Sequence, residues 1–417
     1  MTFEKGLNNH KTEQISEGNS LTLLLIGDVM LGEDFIRFKQ EEGVGYEYPF
    51  EKCKKVFGDA NIVFGNLEGT LSKSGPLREK GPNLYSPPDS ISALKYLNFD
   101  VVSLGNNHIN DFGTEGILET IEILRENEIL SFGAGRNLNE ANEEVIIDKN
   151  GFKLSFMGYT TDEKHVKSII ADVDAAGCVF YDFKKIKEDI ERLKSQSDII
   201  CISLHWGYEY YKYPSPEQIE LAHQIIDNGA HIVIGHHPHI IQGFERYKHG
   251  IIFYSLGNFF FPNFCDQSGY MQKWREENNK SIIAKSVINI VNNKAKIREV
   301  KILPAYMSEV YQVVILDGKG KEEAISEIEE ISKEINRNDY ESFWYNYHKK
   351  KVRELTQIEL DILLPRLIQR IRELGIKGCM INISIRNAKN VSGLLIRCLS
   401  FWLDKSLSHL KLKNRNL

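Results

Sequence analysis

An α/β fold built on a largely parallel, buried sheet is what this sequence predicts, on three observations. Short apolar runs rich in β-branched residues, at 21–26, 61–64, 101–104, 199–204, 231–234 and 251–256, each stop at glycine and a polar residue. Continuous apolarity over so few residues marks strands covered on both faces. Helical segments lie between these runs, and that alternation implies βαβ units with helices over the sheet. The third observation is what the runs end in: carboxylates, amides and imidazoles, at the strand ends where open α/β sheets hold their ligands.

Taken in order, residues 1–20 are polar and read as a loose arm, without the apolar stretch of a standard export signal. A cytoplasmic protein is the expectation. The first run ends in Gly27-Asp28, the second in Gly65-Asn66-Leu67-Glu68, and the third in Gly105-Asn106-Asn107-His108. Thr114 precedes an amphipathic stretch at 115–127. The run 199–204 ends in His205-Trp206-Gly207, and Ser215-Pro216-Glu217-Gln218 then forms a capping box with proline at the first helical position. Asn228-Gly229 supplies that helix's stop. The run 231–234 ends in Gly235-His236-His237-Pro238-His239, and 251–256 ends in Gly257-Asn258. Three domains follow from this punctuation: the arm 1–20, a main domain 21–316, and a helical extension 317–417, where the sequence turns charged and periodic. The last part of that extension mixes Leu394, Phe401 and Trp402 with Arg397, Lys405 and Lys411. Such a segment suits either peripheral contact with an anionic membrane or helix packing on the main domain or a dimer partner.

Composition sets limits. The 417 residues are 42% hydrophobic and 26% charged, with a net charge of −6, which gives no general attraction to nucleic acid. Six cysteines stand far apart without a Cys-x-x-Cys pair, a pattern of reduced thiols. There is no phosphate-cradling Walker sequence and no Gly-x-Ser-x-Gly nucleophile elbow.

The strand-end residues have the chemistry of a divalent-metal site, which needs hard carboxylate and borderline imidazole ligands plus groups that orient the rings. Asp28 and Glu68 are the candidate anionic ligands, His205, His237 and His239 the nitrogen ligands, and Asn107 a neutral oxygen ligand. His108 is a candidate for the acid that protonates a leaving group, and Asp111, three residues on, either holds its ring or caps the following helix. Asn66, Asn106, Trp206, Glu209, Tyr210, His236 and Asn258 are candidates for the surrounding shell or for substrate contact, with Tyr208 beside them. Plainer readings exist: Asp28 as a turn cap, Glu68 on a solvated loop, His205 in the core with an aromatic cluster. Three imidazoles in four residues at 236–239 are harder to satisfy without a metal or water. His165, His223, His231, His249, His348 and His409 lack such surroundings and read as structural or exposed.

Read together, Gly27-Asp28-Val29-Met30, Gly65-Asn66-Leu67-Glu68-Gly69, residues 106–113, His205-Trp206-Gly207, Gly235-His236-His237-Pro238-His239 and residues 255–259 resemble the CapA family of poly-γ-glutamate capsule biosynthesis proteins, related in fold to calcineurin-like metallophosphoesterases. The resemblance implies a sandwich of two sheets flanked by helices, and a role in making, exporting or anchoring poly-γ-glutamate or a related envelope polymer. The first expectation on such a fold is a metal-dependent hydrolase of phosphoryl or γ-glutamyl bonds holding one or two divalent ions, manganese, iron or zinc. The rival readings are an accessory protein that binds the polymer or its synthase without turnover, and a small-molecule phosphatase unrelated to capsule. Two departures stand out: Met30 where dimetal phosphoesterases carry the histidine of Asp-x-His, and Glu68 where they tend to carry aspartate.

Overall fold

A computed structural model describes residues 15–77, 82–161, 168–265, 271–291 and 294–358, with side chains from Ser20 onward. Two main sheets are present. The first runs parallel through β1 (Ile15–Val29), β2 (Ile62–Leu67), β3 (Val101–Ser103) and β4 (Leu130–Phe132). β13 (Asn258–Phe260) lies parallel to the tip of β1, and β16 (Lys280–Val291), β17 (Lys294–Met307) and β18 (Val313–Ile315) continue the sheet antiparallel. The second sheet has the order β11 (Phe244–Tyr247), β12 (Gly250–Phe253), β10 (Ile232–His236), β9 (Ile199–His205), β7 (Phe152–Thr160) and β6 (Val145–Lys149). Its centre is parallel and its two edges antiparallel. The strands β5 (Ala134–Gly135) with β8 (Gly177–Cys178), and β14 (Phe264–Cys265) with β15 (Met271–Gln272), are minor pairs.

The period of two along β1 decides what fills each side. Leu21, Leu23 and Leu25 join Ile62, Phe64, Phe156, Ile199, Ile232 and Ile234 in one core that draws on both sheets. Leu24 and Ile26 join Phe57, Leu94, Ile117 and Leu124 in a second core, under the helices. Each such side chain, removed from water, contributes about 1.5–3 kcal/mol. Phe64 stacks on Phe156 of the other sheet at 5.8 Å, a rigid contact across the first core. The two-sheet α/β architecture with flanking helices is thus the one expected.

The tip of β1 is set by glycine. A Cβ on Gly27 would lie 1.8 Å from the Gly257 carbonyl oxygen, so only glycine lets β13 come alongside and put Asn258 in register with Asp28. On the other sheet, helix Pro216–Asp227 starts at the expected capping box: Ser215 Oγ accepts from Gln218 N at 3.2 Å, and Gln218 Oε1 accepts from Ser215 N at 2.9 Å.

The boundaries differ from the sequence reading at both ends. β1 begins at Ile15, inside the stretch read as an arm, because its backbone pairs with β16. The helix expected after Asp317 is present as Gly318–Ile335, and it packs on the main unit: Ile328 enters the core between the sheets, and Ser332 Oγ accepts from Phe244 N at 3.1 Å. The first compact unit accordingly extends through Tyr340, with a second unit beyond it. Of that second unit residues 341–358 are described and helical, and the basic segment 385–417 lies outside the described residues. Among the described residues no helix is long and apolar enough to cross a membrane.

Candidate metal centre

The carboxyl ends of both sheets meet at one buried site. The first sheet delivers Asp28 at the end of β1, Asn66 and Glu68 at the end of β2, Asn106, Asn107 and His108 just past β3, and Asn258 on β13. From the second come His205 at the end of β9, His236 at the end of β10, and His237 and His239 directly after it. All ten are buried. Left-handed backbone turns the last two inward: His237 has φ 95° and His239 φ 56°. Such conformations cost about 1–3 kcal/mol each in non-glycine residues and concentrate at functional sites.

Asp28 is fully buried and fully paired. Oδ1 accepts from Asn66 Nδ2 at 2.9 Å and from His236 Nδ1 at 3.0 Å, and Oδ2 accepts from the His237 backbone N–H at 3.3 Å. Burial pushes its carboxyl up, but the hydrogen bond and charge of His236, aided by His239 and Asn66, hold it below the usual carboxylate range. Glu68 is the opposite case. Neither of its buried oxygens has a hydrogen-bond partner among the described residues, although His239 Nε2, His205 Nε2 and His108 Nε2 stand 3.7, 3.9 and 4.0 Å from Oε1. Burial, and then the charges of Asp28, Glu209 and Asp111, push its carboxyl well above its ordinary range.

Two of the imidazoles, His205 and His239, are held in neutral, ligand-ready form. Burial lowers His205 far below its usual pKa, with the neighbouring histidines adding to the effect, and burial likewise lowers His239. Partners fix each ring: Asn107 Oδ1 lies 2.7 Å from His205 Nε2, and Asn258 Oδ1 lies 2.9 Å from His239 Nδ1. Asp111 Oδ2 lies 2.6 Å from His108 Nδ1 and also accepts from Leu84 N at 2.8 Å. Of its two expected roles Asp111 therefore takes the ring-holding one, and helix Gly113–Glu126 has no side-chain cap. Asn106 ties the loops together, donating to Leu67 O at 2.8 Å and accepting from His108 N at 3.2 Å.

Two sets of donors lie close enough to share an ion. Asp28, Glu68 and His205 form one, Glu209, His237 and His239 the other, and within each set the ligand atoms are within 4.8 Å of one another. Ligands about 2.0–2.2 Å from a common ion require spacings of that order. A carboxylate with no partner and neutral imidazoles around it is the donor set that a divalent ion completes.

Other expected residues fall elsewhere. Trp206 is buried, stacks on Tyr254 and donates Nε1–H to the Tyr254 carbonyl at 3.0 Å. Its indole N–H is thus taken up by the main chain just past β12. Tyr208 is exposed, whereas Tyr210 is half-buried beside His239 and Trp274. Met30 turns away from the donors into an apolar cluster with Leu84, Phe261 and Phe264. Sequence reasoning missed Trp274, whose ring is 5.2 Å from that of His239, and Asn278, whose Nδ2 donates to His239 O at 3.0 Å. Neither lies in a strand-end motif, so nothing in the local sequence marked them.

The sequence pattern of the family described as bacterial capsule synthesis protein PGA_cap matches residues 22–263. The chain belongs to this family. That span carries every residue of the two donor sets. Among curated relatives, the capsule biosynthesis protein CapA of Bacillus anthracis is 31% identical over 291 residues, 67% of this chain and 70% of that one. The PGA biosynthesis protein CapA of Bacillus subtilis is 31% identical over 244 residues, 58% of this chain and 63% of its own. A Mycobacterium tuberculosis relative named "Probable polyglutamine synthesis accessory protein" is 30% identical over 227 residues, 52% of this chain and 60% of its own. Among solved structures, a calcineurin-like phosphoesterase from Bacillus subtilis aligns over 75% of this chain and 97% of its own, at 14% identity and a TM-score of 0.38.

Proposed function

We propose that this member of the capsule-synthesis family acts in the making of poly-γ-glutamate or a related cell-envelope polymer, as a metal-dependent hydrolase of phosphoryl or γ-glutamyl bonds. Glu68 carries the reading. A carboxylate buried without a hydrogen bond costs several kcal/mol unless a cation neutralises it, and the groups around this one are further ligands. Asp28, Glu68 and His205, with Asn107 beside them, and His237 with His239, are the residues that would hold one or two ions. Manganese, iron and zinc all suit such an oxygen and nitrogen donor set. An ion held there would supply Lewis acidity toward the bond to be cleaved and would favour a nucleophilic water near neutral pH.

The chain's own groups supply the rest. Asp111 fixes the His108 ring through Nδ1, which leaves Nε2 on the site side, 4.0 Å from Glu68 Oε1. His108 is thereby placed to give a proton to the leaving group. Asn258 and His236 orient His239 and Asp28 in the same way. We propose the glutamate polymer or its synthase as partner. The name of the mycobacterial relative favours a second reading, an accessory protein that uses the same rim for binding without turnover.

Metal content by mass spectrometry tests the reading, with wild type measured beside a His237→Ala, His239→Ala double variant. One or two equivalents in the wild type, with at least one lost in the variant, support it, and hydrolysis of phosphoesters or γ-glutamyl peptides then separates turnover from accessory binding. No metal in either protein after reconstitution with manganese, iron or zinc overturns it.

A further inference from the structure

We infer that Glu209 is a metal ligand, which with His237 and His239 holds an ion separate from the one held by Asp28, Glu68 and His205. The inference rests on the metal reading above and adds to it the ion count and the origin of the second carboxylate. Glu209 lies in no strand, four residues past the end of β9, and local backbone brings it to the site. Gly207 has φ 87° and Tyr210 φ 66°, so the chain reverses on both sides of Glu209, and Tyr210 N donates to Pro238 O at 2.8 Å. That bond joins the Glu209 loop to the turn carrying His237 and His239. Three non-glycine residues with left-handed backbone, Tyr210, His237 and His239, thus lie on two joined turns, and the donors those turns carry are the Glu209 carboxylate and two imidazoles within 4.8 Å of one another.

The carboxylate is aimed as well as near. The Tyr210 side chain hydrogen-bonds Glu209. The charge of Glu209 also reaches Glu68 and His239 across the site. The first sheet has no second ligand at the tip of β1 to offer. Met30 is fully buried in its apolar cluster, its Sδ accepts from Gly32 N at 3.2 Å, and a thioether is a poor ligand for hard divalent ions. Without Glu209 the two imidazoles would have to hold an ion with no carboxylate of their own. With it, each set has three protein ligands including an anionic oxygen, which leaves room for water or substrate. The sets adjoin: His239 Nε2 is 3.7 Å from Glu68 Oε1, and the rings of His205 and His237 are 4.7 Å apart, the proximity a two-ion clamp requires.

The test is manganese loading of the full chain, followed by mass spectrometry for stoichiometry and electron paramagnetic resonance for coupling between ions. Wild type is expected to bind two equivalents with an exchange-coupled signal. Glu209→Gln is expected to keep one equivalent with the signal of an isolated ion, while its metal-free melting temperature stays at the wild-type value. Glu209→Asp, which keeps the charge on a shorter arm, is expected to retain two ions with the second bound more weakly, and it serves if the glutamine variant does not fold. Two coupled ions of unchanged affinity in Glu209→Gln overturn this inference and leave the metal reading standing. A single ion in the wild type also overturns it, and no ion in the wild type overturns both.

Discussion

β10 carries histidines at both of its ends, and the two ends are built on different principles. At the entry, His231 Nδ1 accepts from Ile200 N at 3.1 Å, and nearby His249 Nε2 bonds to Ala230 O at 3.1 Å. Main chain there meets the needs of the rings, and the result is architecture. At the exit, His236 and His239 bond to Asp28 and Asn258 side chains, the backbone at His237 and His239 is left-handed, and His236 Nε2 has no partner among the described residues. An imidazole at a strand end is thus not a site in itself. What distinguishes the exit is that its polar groups are paired with one another and still leave capacity unused, which is the condition for binding something else.

The comparison breaks most visibly at Glu68. Glu68→Gln is expected to weaken manganese or zinc binding by roughly a thousandfold or more, beyond the tenfold to hundredfold typical of losing an outer partner. The same change is expected to leave the metal-free protein at least as stable, since a buried carboxylate without a partner favours neither folding nor packing. Calorimetric titration and denaturant unfolding in chelator measure the two halves. Equal metal affinity in both proteins, or marked loss of stability in the metal-free variant, would place Glu68 with His231 as a structural residue.

A smaller effect is expected one layer out. Asp111→Asn leaves the ion's ligands in place but removes the charge that holds His108. Turnover should fall by roughly tenfold to a hundredfold with ion content and metal affinity unchanged. Loss of metal along with activity would show that His108 and Asp111 belong to the ligand set instead.

These contrasts show what the sequence could and could not convey. Asp28, Glu68, His205, His237 and His239 were legible because each ends an apolar run, and strand ends of an α/β sheet converge whatever the topology. The division into two sheets was not legible from the runs themselves, because β2 and β9 are both short and both largely apolar. Only pairing tells them apart: β1 hydrogen-bonds to β2 and β16, β9 to β7 and β10. Glu209 looked like a residue of an aromatic loop because its place depends on two left-handed positions, one of them tyrosine, which composition does not announce. Trp206, next to His205 in sequence, has its own partner in Tyr254, on whose ring it stacks and to whose carbonyl it donates.

The smallest effect concerns the entry of β10 and sharpens the comparison through pH. Burial, and then the nearby His249, push His231 from its ordinary value down to about 4. A histidine depressed in the folded state binds its proton more readily when unfolded, so stability is complete above the unfolded pKa of about 6.5 and declines as pH falls toward 4. Between pH 7 and pH 5 the linkage comes to roughly 1–2 kcal/mol, reduced because the ring is part-exposed. His231→Asn, which retains an acceptor for Ile200 N without the titration, should be the less stable protein at pH 7, with the gap narrowing or reversing by pH 5. Comparing the variant with wild type in chelator isolates this ring, since the site histidines titrate in both proteins. A gap of constant size across that range would mean that His231 is not held neutral by its surroundings, and the two ends of β10 would then differ less than their hydrogen bonds indicate.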